Sequence, residues 1–433
     1  MSEAPNTITA SAARARMADG SLTPGALVEA CRLRIADREE TVQAWATLDP
    51  AAIEAELARV EAIPEAERGP LWGLPVAVKD IFDTADLPTS YGSPIHAGHR
   101  PARDAACVAR LRAAGAVVLG KTVTTEFAFL HAGVTRNPLD PTRTPGGSSS
   151  GSAAAVADRM VPLALGSQTA ASTIRPASFC GIVGFKPTLG LISTEGVKGL
   201  SGSFDTVGAF ARSVADAALL AGVMADLPSP PAAAPQGAIA RWHGAEWEAA
   251  DATTKAVIET ALSQLAAAGA TIDSQVPPPP FDGITALQLR VMGAEAAREL
   301  AHETRTAPDK LSEKLRALLI EGAALPAEQR MADRVALAAM RADLEPLFGG
   351  AALLAAPASM GEAVPIEQGT GNPDTSRGFT ALGLPSITIP SGHGPSGLPL
   401  GLQLVARHNH DAMLLAAAAW AEAVLTADRS DRE

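Results

Sequence analysis

The chain has 433 residues, of which 47% are hydrophobic, 19% charged and 4% aromatic, and it carries a formal net charge of −12. That is enough apolar chain to bury a large core, and the acidic balance disfavours a direct grip on nucleic acid or on an anionic membrane surface. Cys31, Cys107 and Cys180 are odd in number and widely spaced, so they read as reduced packing residues and not as a disulfide framework.

Met1 to Met17 holds no basic segment followed by a long apolar core, so no secretion signal is expected and the reading is a cytoplasmic protein. Asp158-Arg159 and Glu422 interrupt the two longest small-residue runs, which leaves no expected membrane span. Thr23 and Pro24 mark a helix start, and the segment through Ile35 carries apolar residues at helical spacing. The run Val76-Ala77-Val78-Lys79-Asp80-Ile81-Phe82 then reads as an interior strand. A lysine beside an aspartate in such a strand is more often a snorkelling or paired residue than a catalyst. If fully buried, however, it loses the solvation that favours its charged form and becomes a candidate general base.

Val117 to Leu119 is expected as a buried strand. The surrounding Gly115 to Thr122 formally fits the phosphate-loop pattern, but its apolar interior is a strand former and not a flexible cradle. Asn137-Pro138, Asp140-Pro141 and Pro145 then make an irregular approach that cannot be a helix. Gly146-Gly147 follows, with three hydroxyls at Ser148, Ser149 and Ser150, and a helix is expected from Ser152 through Ala157. A flexible Gly/Ser linker would not run directly into an alanine-rich helix. The segment Gly166 to Pro176 is small and polar between apolar runs, and its main-chain N–H groups from Thr169 to Ser172 can converge on a developing oxyanion.

Three positions stand out together: Lys79, Ser148 and Ser172. A serine hydroxyl needs a base, and a neutral lysine can serve through a second hydroxyl that relays the proton. Gly147 to Gly151 also fits the nucleophile elbow, which would make Ser149 the nucleophile, but that turn requires a preceding strand and here follows Thr144-Pro145-Gly146. The eight histidines are scattered, without metal-ligand spacing, and neither a metal nor an organic cofactor is expected.

These stretches resemble the amidase signature family: Gly73 to Asp80, Gly120 to Ala128, Thr144 to Ala155, and Ser172 to Thr188, with weaker matches at Gly383 to Ile387 and Gly397 to Val405. The resemblance implies an α/β fold, a mixed β-sheet core covered by helices on both faces. It implies a single amidase domain over 1–433, with a catalytic core at 60–210, a variable helical substrate region at 211–348 placed over the site, and closing strands with a C-terminal helix at 349–425. It assigns the base to Lys79, the relay to Ser148 and the acyl-forming nucleophile to Ser172, 24 positions further on. It also implies a cis Gly147–Ser148 peptide, an oxyanion hole at Thr169, Ala170, Ala171 and Ser172, and substrate contacts at Gly147, Ser149 and Phe127.

The chain departs from the family pattern where Gln168 replaces an aspartate, Ala170-Ala171 replaces two glycines, and Ile174 stands where an arginine is usual, with Arg175 next. These changes read as a subfamily variant with altered substrate recognition. The expected activity is hydrolysis of a small or medium linear amide to a carboxylic acid and ammonia or an amine. The alternatives are a glutaminase-type subunit of an amidotransferase complex, disfavoured by those departures, and an esterase or carbamate hydrolase using the same site. The expected partner is the small-molecule amide; a homodimer is compatible with the reading.

Two proline clusters, Pro228 to Pro231 and Pro277 to Pro280, bracket a short strand and a helix around Asp251 to Ala268. Residues 284–348 read as several helices interrupted at Pro308 and Pro326, before a strand at Ala351 to Ala355. Substrate choice is expected to lie in this middle region, with Phe82, Tyr91, Phe127, Phe129 and Phe379 as candidate pocket residues.

Overall fold

Eleven strands form one mixed sheet in a computed structural model that describes residues 4–228, 230–279 and 281–430. In chain order they are β1 (Trp45–Thr47), β2 (Pro75–Lys79), β3 (Val117–Thr122), β4 (Leu163–Gln168), β5 (Val183–Lys186) and β6 (Thr206–Ala211), then β7 (Ile239–Trp242), β8 (Ile272–Gln275), β9 (Leu353–Pro357), β10 (Ser386–His393) and β11 (Pro399–Val405). Their spatial order is β1-β3-β2-β4-β6-β5-β10-β11-β9-β7-β8. β2 runs parallel to both β3 and β4, whereas β6, β5, β10 and β11 continue the sheet as antiparallel neighbours. Every residue of β2, β3 and β4 is buried, which explains their continuous small and apolar sequences.

Helices Ser150–Ala157 and Ile174–Cys180 pack together and against the strands, while Val214–Ala225, Ala252–Ala267 and Asp411–Ser430 form the opposing layer. A second apolar cluster joins β7, β9 and β11 to a helical layer in which Ile284–Glu299 packs against Glu313–Ala324, Ala327–Ala342 and Asp374–Ala381 through residues such as Leu287, Val291, Leu315 and Leu337. The segment 211–348 is therefore not wholly helical: it also supplies β7 and β8, which extend the sheet beyond β9. No described helix is long and apolar enough to cross a membrane.

Local expectations hold in outline. The helix beginning at Pro24 is capped by the Thr23 side chain, which accepts from Ala26 N, and it runs on to Val42. Asp251 caps the helix Ala252–Ala267 by accepting from Thr254 N at 2.6 Å. Pro308 opens a short 3₁₀ turn and Pro326 immediately precedes helix Ala327–Ala342. The alanine-rich helix begins at Ser150, two residues before the expected start, and the strand expected at Ala351 begins at Leu353. Ser229 and Pro280, within the two proline clusters, lie outside the described residues, as do Met1 to Glu3.

Candidate active site

The parallel strands β2 and β4 end side by side, and their carboxyl ends are where open α/β sheets characteristically bind ligands. Lys79 is the last residue of β2 and is fully buried, at 0% exposure. Successive strand residues face opposite sides, so Asp80 does not neutralise it; Asp80 instead meets Lys121 at 3.1 Å and accepts from Ser90 Oγ at 2.5 Å. Lys79 Nζ lies 2.8 Å from Ser148 Oγ and 2.7 Å from Ser167 Oγ. Burial holds its pKa well below the ordinary lysine value, and the charge of Asp205 opposes that effect without cancelling it.

The Gly146–Ser150 turn is held by its own main chain. Gly146 O accepts from Ser150 Oγ at 2.7 Å, Gly147 O from Arg175 Nη2 at 2.6 Å, and Ser148 O from Thr125 N at 3.1 Å. The Gly147–Ser148 peptide is cis. Gly146 has φ +84°, and a Cβ there would fall 2.8 Å from Pro176 Cα. At Gly151 a Cβ would collide with Ala44 O, so only glycine lets this helix start lie against the residue that leads into β1.

The second turn follows β4. Gln168 Oε1 accepts from Thr173 N at 2.9 Å and Ile174 N at 3.1 Å, while Gln168 Nε2 donates to Thr380 Oγ1 at 2.9 Å. A carboxylate here would accept from the same two N–H groups but offer no donor to Thr380. Gln168→Ala is expected to leave those buried N–H groups unpaired and to cost about 1–3 kcal/mol, read as a lower urea midpoint at unchanged m value. An unaltered midpoint would contradict this role for Gln168.

Between Gln168 and Thr173 the chain turns past Thr169, Ala170, Ala171 and Ser172. Thr169 O accepts from Gln288 Nε2 at 3.0 Å and Ala170 O from Thr380 Oγ1 at 2.6 Å. In a trans peptide the N–H points opposite the carbonyl, so these two bonds direct the N–H groups of Ala170 and Ala171 away from their anchors. None of the four N–H groups from Thr169 to Ser172 finds an acceptor among the described residues. Neither alanine has a positive φ, so a methyl is carried there without left-handed strain. Ala170 lines the adjoining cavity, while Ala171 is fully buried.

That cavity, of about 70 Å³, is lined by Ser148, Thr169, Ala170 and Ser172 together with Arg175, Arg377 and apolar side chains. Ser172 is 8% exposed, and no described group hydrogen-bonds its hydroxyl. Burial, reinforced by Arg377, brings Arg175 down to about 9, and Asp374 opposes the shift. Among the described residues no cluster of three histidine, cysteine or acidic side chains has metal-site geometry.

Some expected contacts lie elsewhere. Ser149 is fully buried, and its hydroxyl bonds the main chain of Ser167, at 3.3 Å to the carbonyl and 3.2 Å from the N–H, so it faces β4 and not the cavity. A hydroxyl held in this way counts against the elbow reading. Phe127 sits at a kink with φ 45°, which sends its ring against His96 while Ala128, Phe129 and Leu130 line the cavity. Phe82 is in the sheet core, Tyr91 packs edge-on against His96, and Phe379 lines a different cavity beside Trp242. Of the five aromatic candidates, Phe129 alone reaches the site. Lys121 lies within β3 and donates to Phe82 O at 2.8 Å, which leaves no phosphate cradle. The Cys180 thiol is buried, which raises its pKa and removes thiolate character.

Sequence reasoning did not single out Ser167, the second partner of Lys79, although it lies in the motif already marked. Nor did it find Asp205, which accepts from Thr169 Oγ1 at 2.5 Å and from Leu200 N and Ser201 N, and whose pKa burial raises to about 6. Gln288, Arg377 and Thr380 were also unmarked, and no local signal distinguishes them.

A family model described as Amidase matches residues 26–415. The chain is 34% identical to the A subunit of glutamyl-tRNA(Gln) amidotransferase from Chloroflexus aurantiacus, an alignment covering 94% of each protein. In three dimensions it resembles a crystal structure of an amidase, with a TM-score of 0.88 at 31% identity over 96% of this chain and 100% of that one. It also resembles peptide amidase from Stenotrophomonas maltophilia, with a TM-score of 0.83 at 30% identity over 96% and 97% of the two chains.

Proposed function

The chain belongs to the Amidase family, and from that premise we propose that it is a stand-alone hydrolase of small or medium linear amides acting through Ser172, Ser148 and Lys79. The observation that carries the proposal is the 2.8 Å contact between the buried Lys79 amine and Ser148 Oγ, at the cavity that Ser148 and Ser172 share.

A neutral Lys79 amine can donate to Ser167 Oγ while its lone pair takes the hydroxyl proton of Ser148. Ser148 in turn takes the proton of Ser172 as Ser172 Oγ attacks the amide carbon. The N–H groups of Ala170 and its neighbours receive the negative charge on the carbonyl oxygen, each well-placed donor contributing roughly 3 kcal/mol. The C–N bond breaks as the proton returns through Ser148 to the departing nitrogen. Water then enters by the same relay, releases the carboxylic acid and restores Ser172. The activity belongs in the cytoplasm on this reading, and no cofactor enters any step.

A second reading, a glutaminase subunit that passes ammonia to a partner, is supported by the 34% identity to the amidotransferase chain. The neutral Gln168 and the two alanines favour the stand-alone hydrolase. Treating the purified protein with a fluorophosphonate and locating the adduct by mass spectrometry tests the mechanism. The expected adduct is on Ser172, suppressed in Lys79→Ala and Ser148→Ala. An adduct on Ser149, or equal labelling in both variants, would overturn the assignment. Glutamine hydrolysis that appears only with partner chains would favour the second reading.

A further inference from the structure

We propose that the cavity beside Ser172 holds an anion subsite in which Arg377 receives a carboxylate carried on the acyl portion of the substrate amide. The inference rests on the acyl-transfer reading for the substrate's identity, and on independent geometry for the subsite. Two guanidinium groups line the cavity and no acidic side chain does, in a protein whose net charge is −12. Both are nearly buried: Arg175 is 2% exposed and Arg377 6%.

The two arginines are held differently. Arg175 donates to Gly147 O, to Gly371 O at 2.9 Å and to Thr370 Oγ1 at 3.3 Å, all of them neutral acceptors, and its Nε has none. It braces the Ser148 turn while its charge stays without a direct ion pair. Arg377 is set by two bonds, Nε to Asp374 Oδ1 at 2.8 Å and Nη1 to Gln288 Oε1 at 2.6 Å. Its Nη2 makes no hydrogen bond to a described residue, and the side chain reaches the cavity wall. Two guanidinium groups against the single carboxylate of Asp374 leave a positive surplus, which a carboxylate ligand would complete with charge-assisted hydrogen bonds.

Gln288 links this subsite to the chemistry, because its Nε2 holds Thr169 O at the turn preceding Ser172. Leu130, Leu200 and Met292 supply the apolar wall, suited to a short carbon chain between the amide and the acid. The cavity is small, about 70 Å³, which suits a short acyl chain over a bulky one. An amino-acid amide such as glutamine would bring an ammonium as well, and no lining carboxylate is present to meet it.

The test compares succinamate with butyramide, which differ by a carboxylate in place of a methyl, by calorimetric titration of the full-length Ser172→Ala protein. Succinamate should bind roughly 10- to 100-fold more tightly. Adding Arg377→Gln should bring the two ligands to within about threefold of each other, and Arg377→Lys should give an intermediate ratio. That graded order separates loss of anion recognition from loss of fold. Equal binding of the two ligands with Arg377 intact, or a preference that survives Arg377→Gln, would overturn the subsite. Fluorophosphonate labelling of the wild type runs alongside. Labelled Ser172 without a succinamate preference removes the subsite alone, whereas a preference without labelling removes the catalytic reading and leaves the subsite standing.

Discussion

Ser172→Ala should lower amide hydrolysis on the order of 10⁴-fold or more while leaving the fold intact, because it removes the atom that forms the acyl intermediate. No described group hydrogen-bonds the Ser172 hydroxyl, and the residue keeps 8% of its surface at the cavity. Truncating it therefore leaves no buried donor or acceptor unpaired, and its unfolding free energy should stay within about 0.5 kcal/mol of wild type. Steady-state hydrolysis and urea melts on the same preparations check both halves. Turnover within tenfold of wild type would remove Ser172 as nucleophile. A large loss of stability would show that the hydroxyl is held in the fold and not free to react.

Replacing Lys79 by methionine should cost on the order of 10³-fold in kcat/KM, the scale of a lost general base. The pH profile carries the more specific expectation. Burial lowers the Lys79 pKa well below its usual value, and the neutral amine is the active form. Wild-type kcat/KM should therefore rise with pH and level off well before the roughly 10.4 of a free lysine. The residual activity of Lys79→Met should lack that limb; its persistence would assign it to another group.

Stability gives an independent check on the same residue. Between the depressed folded pKa and the unfolded value of about 10.4, the unfolded chain binds a proton that the folded one does not, so stability rises with pH across that window. Wild type should gain stability relative to Lys79→Met as pH rises towards the unfolded value of about 10.4. Parallel curves would mean that Lys79 keeps its charge in the folded protein.

The strand at Val76 to Lys79, the turn at Gly146 and Gly147 and the helix after it were legible because each depends on local chemistry. An apolar run seeks the interior, glycine alone tolerates certain turns, and small residues permit close packing. Gly151 shows the limit of such reading. Its need for glycine comes from Ala44 O, which leaves no room for a methyl and belongs to a residue over a hundred positions away. Ser148 and Ser149 are adjacent and chemically identical, yet one hydroxyl faces Lys79 and the other the main chain of Ser167. Only the course of the turn separates them.

By itself, the sequence determined the family, through its motifs, and through that resemblance the mixed α/β architecture. The tertiary structure decided which groups meet. It brought Ser167 to Lys79, Gln288 to the turn before Ser172, and Arg377 to the same cavity wall from a helix some two hundred residues further along the chain. Such pairings have no sequence signal because the sheet order and the packing of helix Ile284–Glu299 against Asp374–Ala381 set the distances. Burial in β2, which packs between β3 and β4 and under helix Ser150–Ala157, and not any neighbour in sequence, is what lowers the pKa of Lys79.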